Sequence, residues 1–502
     1  MSLKSAAVKA MTTRRSRGRT PVLRLLRFGK FAVLMLAAGC SHALPTIDGA
    51  PSAPTVRNEP WRPPAGVVPP EPGRAATLPM GPDSAQLGGP LVLGQVVDLA
   101  LRNNPQTQLT WAQARAGAAN YGAASALYVP TVDASANIVR SQQSAQQDNI
   151  KRTTITPAAS LSYLLFDFGG RESTVAASRA AAVALDLNHN ASLQNVALQA
   201  QSAYFTFQAQ TGLLGAARMT LAEADTNLAS AQQRNRAGVA TIADVLQAQV
   251  LVAQAQLDVE TAQGLAHTSR GALAGAMGLP ANADFELAQV SDSLSIGLAS
   301  ANVDALIDQA LAYRPDLAAV RVQIQQAQAQ VRVARSSELP SITLGANVGK
   351  SFSDVSNFVG LNYTLTLGIQ LPIFNLARQY NVTAATAQVA VAAARADLLR
   401  VQVGQQVYAA YYNLQTAVQR SRTSDVLLAS ALRSEQVARE RYRAGVGTIV
   451  DLITAQTALA NARAQQAQSR WIWAAALAQL SHDVGVLGPV AGLPSDPAGI
   501  RR

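Results

Sequence analysis

The side chains of this 502-residue chain that most often carry chemistry are few: four histidines, one cysteine and 30 carboxylates. The histidines (His42, His189, His267 and His482) are scattered, so no His-rich metal cluster is expected. A single cysteine excludes a disulfide framework and any cysteine-based zinc or iron–sulfur site. His482 and Asp483 form a dyad by adjacency only, because sequence neighbours on a helix point in different directions. No phosphate-cradling glycine loop, nucleophile elbow or paired His/Glu metal motif is present. These residues imply no catalytic site, no metal and no cofactor, and an enzyme is not expected. The one residue with chemistry in prospect is Cys40.

Cys40 ends a leader. Nine basic residues lie before residue 31 and no acidic residue precedes Cys40. The apolar run Phe31–Ala38 follows, then Gly39 and the cysteine. This reads as an export signal ending at a small-residue site over 1–39. The run falls well short of the roughly 20 apolar residues a spanning helix needs. Cysteine after Ala-Ala-Gly resembles a bacterial lipobox, in which the thiol is acylated and becomes the new N-terminus. The departure is Ala37 where that box usually has leucine, with Leu36 one place early. The other reading is an ordinary signal with a chance cysteine. Ser41 is not an acidic retention residue, so by this resemblance the lipoprotein goes to the outer membrane.

The leader also accounts for the charge. The formal net charge is +11, but without those nine residues 32 basic face 30 acidic side chains. A nucleic-acid partner therefore loses its support. Between Ala43 and Pro90 lie 12 of the 23 prolines. A lipidated Pro-rich tether over 40–91, without helix or strand ladder, is expected.

The remainder is written twice. Asp98–Pro105 matches Asp308–Pro315 at an offset of 210, which Pro130/Pro340 and Asn137/Asn347 keep. Arg236-Ala-Gly-Val-Ala-Thr-Ile-Ala-Asp244 matches Arg443-Ala-Gly-Val-Gly-Thr-Ile-Val-Asp451 at an offset of 207, continued by Gln249/Gln456. The repeats span 92–302 and 303–488, with a tail over 489–502. Such a repeat is too long for a solenoid unit.

Each repeat reads helix, strand, strand, helix, helix. Period-two alternation marks strands near 341–350 and 361–372, and more weakly near 131–140 and 158–168. In the last pair Leu361, Tyr363, Leu365, Leu367, Ile369 and Leu371 alternate with Asn362, Thr364, Thr366, Gly368 and Gln370. Strands of about ten residues, apolar on one face and polar on the other, match transmembrane β-strands. Polar loops are expected over Arg140–Arg152 and Lys350–Phe358. Four strands amid so much helix cannot build a soluble sandwich.

A heptad marks the helices. Val245, Val252, Val259, Ala266 and Leu273 recur every seven residues, each followed three places later by Ala248, Ala255, Ala262, Ser269 or Ala276. The same seam returns 207 residues on, from Leu452 and Ala455. Small residues at one seam position allow close helix approach. At 1.5 Å per residue, the helices from Gly170 and from Ala377 each reach about 100 Å. The returning helices, Thr241–Met277 and Thr448–Val484, span about 55 Å, and single helices over Val92–Leu127 and Val303–Leu339 about 50 Å. One of each, end to end, equals a long helix. The result is a rod with strands at one end and turns at the other.

The duplicated plan and the paired Arg-Ala-Gly-Val-x-Thr-Ile-x-Asp turns resemble the TolC-like outer-membrane factors, exit channels of tripartite efflux pumps and type I secretion systems. The resemblance covers about 91–488, and the lipidated cysteine with its Pro-rich lead-in is similar to the family's lipoprotein branch. It implies a mainly α fold with a membrane β-barrel: a homotrimer with a 12-stranded barrel above a long periplasmic α-helical barrel. Sequence physics agrees that one chain is insufficient, since a membrane barrel needs at least eight strands and an open edge in lipid leaves backbone groups unsatisfied. The implied partners are a periplasmic adaptor (membrane fusion) protein, an inner-membrane pump and outer-membrane lipid.

Carried over by position, the resemblance makes Arg236, Gly238, Val239 and Thr241, with Arg443, Gly445, Val446 and Thr448, adaptor-docking residues at the tips. A conformational reading also explains the glycines and threonines, because Gly supplies positive φ and Thr caps the next helix. Asp244 and Asp451 match carboxylates that help close the pore aperture, and a solvated Asp near a helix N-terminus would look the same. Thr454 and Gly447 stand where the family's further tip carboxylate and tip arginine fall. The alternative class is a lipid-anchored periplasmic coiled-coil adaptor, which would need a small central β-domain and no amphipathic strand pairs.

Metabolic labelling with palmitate is expected to mark the protein, and Cys40→Ala to abolish the label while trimers still assemble. Persistent labelling of that variant would refute acylation at Cys40.

Overall fold

Proline, glycine and the Thr caps divide the chain into two copies of one path. The computed structural model describes residues 46–47, 50–54, 56, 58–61, 89–144, 149–288, 302–354 and 360–487; the leader and Cys40 lie outside them. In order come β1 (Thr46–Ile47), β2 (Ala50–Pro51), α1 (Leu93–Asn103), α2 (Pro105–Ser125), β3 (Thr131–Ser144), β4 (Asn149–Phe166), α3 (Gly170–Arg236) and α4 (Ile242–Ala276). The second copy runs α5 (Val303–Tyr313), α6 (Pro315–Ser336), β5 (Ser341–Ser353), β6 (Gly360–Gln370), α7 (Leu376–Arg443) and α8 (Ile449–Asp483). The expected single helices from Val92 and Val303 are thus each broken in two. Asn104 and Arg314 precede prolines and stay extended, with ψ of 127° and 123°, because a following Pro ring disfavours the helical region. Each proline then sits at the first helical position, where its missing N–H costs nothing.

The long helices are the frame. α3 has 67 residues and α7 has 68, about 100 Å each. Along its sheet-side half α3 packs against α2 and α6, and along its turn-side half against α4 and α8. α7 packs mainly against α5, α6 and α8. On α4 the small seam is buried throughout, at Ala248, Ala255, Ala262, Ser269 and Ala276, while in the larger seam Val245 and Leu273 are buried and Val252 and Val259 only half-buried. Alanine lets the helix axes close until backbone meets backbone, which leaves the longer valines at the rim of the contact. Across α7 and α8 the buried hydroxyls of Ser424 and Ser469 lie 2.6 Å apart and satisfy each other.

The four long strands form one antiparallel sheet in the order β3-β4-β5-β6. They run further than expected, through most of the first segment read as a loop and into the second: β3 reaches Ser144, β4 starts at Asn149 and β5 reaches Ser353. Ladder hydrogen bonds between hairpin partners hold polar residues in strand where composition alone suggests loop, as at Arg140↔Thr153 and Gln142↔Lys151.

The Pro-rich segment is not wholly a tether. β1 and β2 pair in a short ladder, and Trp61 is buried against Val183, Ala184 and Leu187 of α3 and Ala319 and Val322 of α6. Its main chain exchanges two hydrogen bonds with the Asn190 side chain, at 2.8 and 2.9 Å, and its indole N–H donates to the Pro51 carbonyl at 2.7 Å. Trp111 Nε1 on α2 donates to the Pro54 carbonyl at 3.0 Å. Prolines forbid a long ladder but do not forbid docking. One buried indole of this size is worth about 3–5 kcal/mol by large-to-small truncation.

Candidate functional site

Two surfaces stand out, at opposite ends of the long helices. The first is the sheet. Its register aligns like with like: Val132↔Leu161, Ala134↔Ala159 and Ile138↔Ile155 between β3 and β4, then Leu161↔Ala346 and Tyr163↔Leu344 between β4 and β5. Between β5 and β6 it continues with Ile342↔Ile369, Leu344↔Leu367 and Ala346↔Leu365. The opposite face carries Asn347↔Thr364, Gly345↔Thr366 and Ser341↔Gln370. In the single chain the apolar face is bare: Tyr363 is 81% exposed, Leu365 73% and Leu367 64%. That is far more contiguous apolar surface than a soluble chain displays.

The sheet meets the helices through paired arginines. Arg171 lies over the Tyr128 ring at 4.5 Å and donates to the Leu164 carbonyl at 2.8 Å. Arg378, its counterpart 207 residues on, donates to the Ser337 carbonyl. Both bind carbonyls at element ends, which helix and ladder leave unpaired. Sequence reasoning missed them; their shared offset is the signal that could have found them.

The second surface is the pair of turns. Gly238 and Gly445 take φ of 72° and 76°, which only glycine adopts without strain. The amides of Val239 and Val446 close the turns onto the carbonyls of Arg234 and Arg441, each at 3.0 Å, the Schellman pattern. Thr241 and Thr448 then start α4 and α8 in reciprocal capping boxes. The Asp244 carboxylate accepts the Thr241 N–H at 2.9 Å and Thr241 Oγ1 accepts the Asp244 N–H at 3.3 Å; for Asp451 and Thr448 both distances are 3.1 Å. Hydrogen bonds from Thr448 hold the Asp451 carboxyl below its ordinary value of 3.8. Arg236, Gly238, Val239 and Thr241, and Arg443, Gly445, Val446 and Thr448, are all exposed. The structure thus brings each set together on one projecting turn. Val239 and Val446 present 64% and 69% of their surface to solvent.

The turns are joined by a residue the sequence reading missed. Arg234 Nη1 donates to the carbonyls of Tyr442 and Arg443 at 3.0 and 3.2 Å, and its guanidinium lies 4.7 Å over the Tyr442 ring. A cation at a helix C-terminus complements the unpaired carbonyls there. Burial pushes the Tyr442 hydroxyl above its ordinary 10.0, an effect the Arg234 charge opposes and Asp244 adds to.

His482 and Asp483 need correcting: Nδ1 and Oδ1 are 2.9 Å apart. They sit in the last turn of α8, where neighbouring side chains can converge. Nε2 meets Asn195 at 2.8 Å, and buried Arg314, which grips Asp316, donates to the Asp483 carbonyl at 3.3 Å. The pair is an internal joint between the repeats, with no nucleophile in contact. Elsewhere, burial raises the Asp186 carboxyl to about 9 and lowers the His189 imidazole to about 4. Among the described residues no group of three or more His, Cys, Asp or Glu side chains could hold a metal.

The family model described as outer membrane efflux protein matches residues 96–279 and 306–486, one match per repeat. The chain is 28% identical over 395 residues to the protein CyaE of Bordetella pertussis, covering 78% of this chain and 82% of that one. It is 27% identical over 459 residues to the pyoverdine export outer membrane protein OpmQ of Pseudomonas putida, covering 88% and 94%. Its fold is similar to the CmeC outer membrane channel of Campylobacter jejuni, with a TM-score of 0.70, 19% identity and coverage of 80% and 87%.

The Asp451 cap sets a pH dependence. A carboxylate with a depressed pKa contributes stability above its unfolded value and loses it as pH falls through the folded one. Hydrogen-exchange protection of the Thr448 amide, corrected for the intrinsic rate, should therefore be constant from neutral pH to about 4 and fall below it. Asp451→Asn should show no such step.

Proposed function

This chain belongs to the outer membrane efflux protein family, and we propose that three copies close head to tail into the outer-membrane exit duct of an export assembly. The observation that carries this reading is that both flanks of the protomer are unfinished along their whole length. One flank offers the β3 edge, α2 and α4; the other offers the β6 edge and α7. α7 contains a stretch of mean hydropathy 1.2 with no buried residue. The matching part of α3 buries Ala182, Val183, Ala184 and Leu187. There α3 is covered by Trp61 and α6 with Tyr121 of α2 beside them, and α2 and α4 of a second copy would complete the cover that α7 lacks. α4 brings to that contact the exposed Ile242, Leu246 and Val250.

Joining unlike flanks by rotation makes a closed ring. Three copies give twelve strands, above the minimum of eight for a membrane barrel, with the helices as a second barrel in the periplasm. The apolar face then meets lipid and the Thr/Asn/Gln face lines the lumen. Cys40, acylated, anchors each chain to the outer membrane. The duct conducts passively, and an inner-membrane pump, reached through a periplasmic adaptor, supplies drive and choice of cargo. The exposed turns at 236–241 and 443–448 are the docking surface for that adaptor. Asp244 and Asp451 approach the pore axis there and narrow the aperture, each using one carboxylate edge for its cap.

A charge on the lipid face at midplane costs about 2–4 kcal/mol per chain. Leu367→Arg should then lose the heat-modifiable trimer from the outer-membrane fraction while Thr366→Arg keeps it; equal tolerance would refute the membrane assignment. Gly445→Asp and Gly238→Asp should block export and reduce crosslinking to the adaptor with outer-membrane abundance unchanged. Normal export by both variants would remove the docking assignment.

A further inference from the structure

The sheet carries four basic residues within its described strands, Arg140, Lys151, Arg152 and Lys350, and one acidic residue, Asp133. Their faces follow from the register. Arg140 continues the series Val132, Ala134, Ala136 and Ile138, and Lys350 continues Ile342, Leu344, Ala346 and Val348, so both stand on the apolar face. Asp133 and Arg152 pair with Ser160 and Ser141 on the polar face. Lys151 pairs with Gln142, which continues the same series, so the apolar face holds three cations and no carboxylate within its described strands. Arg140 and Lys350 are also equivalent positions, 210 residues apart like Asn137 and Asn347. Each lies nine residues beyond the helix-side start of its strand, Thr131 or Ser341. At about 3.3 Å per residue and a tilt near 40° that is roughly 23 Å of height, the top of an apolar band about 25 Å tall. Both side chains are exposed, with Lys350 Nζ 5.4 Å over the Phe352 ring. Asp354 lies near Arg140, its carboxylate accepting the Thr153 N–H at 2.7 Å.

We infer that Arg140 and Lys350 form a belt that binds the phosphate groups of a phosphorylated glycolipid in the outer leaflet. The inference rests on the apolar face being the lipid face. At the end away from the helices a long basic side chain can lay its stem on the apolar band and raise its charge to the headgroup phosphates. Arginine and lysine both donate charge-assisted hydrogen bonds to phosphate. A generic snorkelling role would need only water. A cation at the same height in both repeats, with Lys151 beside them and Asp354 as the one described carboxylate in their row, leaves an excess of positive charge that favours an anionic partner. Three protomers would present six such cations around the barrel, with three copies of Lys151 beside them.

The test is lipid retention by the purified trimer, read by native mass spectrometry. Wild type is offered diphosphorylated, monophosphorylated and dephosphorylated lipid A, phosphatidylethanolamine, and inorganic phosphate alone. Retention should follow phosphate number and be negligible for dephosphorylated lipid and free phosphate. Arg140→Gln with Lys350→Gln should lower retention of the diphosphorylated form by about fivefold per cation removed. Arg152→Gln, on the polar face, should retain it as wild type does. Should the double variant fail to assemble, the charge-conserving pair Arg140→Lys and Lys350→Arg must assemble and retain lipid. Equal retention by wild type and double variant, or equal retention of dephosphorylated lipid, overturns the belt, as does tight binding of inorganic phosphate alone. If Leu367→Arg and Thr366→Arg behave as expected and the double variant still retains lipid, the belt alone fails; if those two variants are tolerated alike, the membrane reading beneath it fails.

Discussion

A backbone amide in hydrocarbon must find a partner, and the four-stranded sheet cannot supply partners for its own edges. β3 and β6 each present a row of N–H and C=O groups with no ladder beside them, and each unsatisfied group costs several kcal/mol in lipid. No side-chain substitution removes that cost; only another strand does. In the proposed assembly the strand that completes each edge is the unlike edge of a copy, and joining unlike edges by rotation closes a ring. The helices must then obey the same closure. Their open flanks fall on the same two sides as the open edges, which is why one rotation can finish the barrel and the tube together.

Closure explains the composition. A tube of long helices cannot hold a thick core, so stability comes from many close contacts between narrow seams. Alanine at Ala248, Ala255, Ala262, Ala455 and Ala462 serves this, being buried to below a tenth exposure in every case. Large apolar side chains gather where more than two helices meet, as with Tyr204, Leu273 and Met277 beside α1, α3 and α4. The docked Trp61 works in the same way at the joint of α3 and α6, tying the Pro-rich segment to both repeats. The polar joint of Arg314, Asp316, Asp483 and His482 holds the breaks after Arg314 and Asp483 in register. Its buried charge is paired and hydrogen-bonded, the condition under which burying it is tolerable.

What the sequence made legible was everything periodic. The repeat offset, the strand alternation and the heptad of Val245–Leu273 each encode one face, and the faces fold where their periods place them. Non-periodic features were harder. The breaks at Asn104 and Arg314 needed only the rule for residues before proline, but a helical pattern on both sides masked it. Strand ends near Arg140 and Lys350 were misplaced because ladder partners, not composition, decide how far a hairpin runs. Docking of Trp61 depends on Asn190, 129 residues away, and no local pattern announces such a pair. The convergence of His482 on Asp483 depends on the helix ending there.

The same contrast separates the two tips. Their turns share a sequence pattern and a backbone, yet Ile449 is buried while its counterpart Ile242 is 64% exposed. The difference traces to one position: Tyr442 packs with Ile449 and Leu452, whereas the equivalent Asn235 spends its amide on the Ala240 carbonyl at 2.9 Å. Tyr442 also gives Arg234 a ring to lie on and a helix end to bind. Gly447 tightens the second turn further, since a Cβ there would come within 3.1 Å of the Arg441 side chain. The second tip is therefore the anchored one and the first hangs from it through Arg234. Arg234 joins the two tips through its contacts with the end of α7. The duplicated chain has kept one turn as a scaffold and made the other dependent on it, which identical repeats could not do.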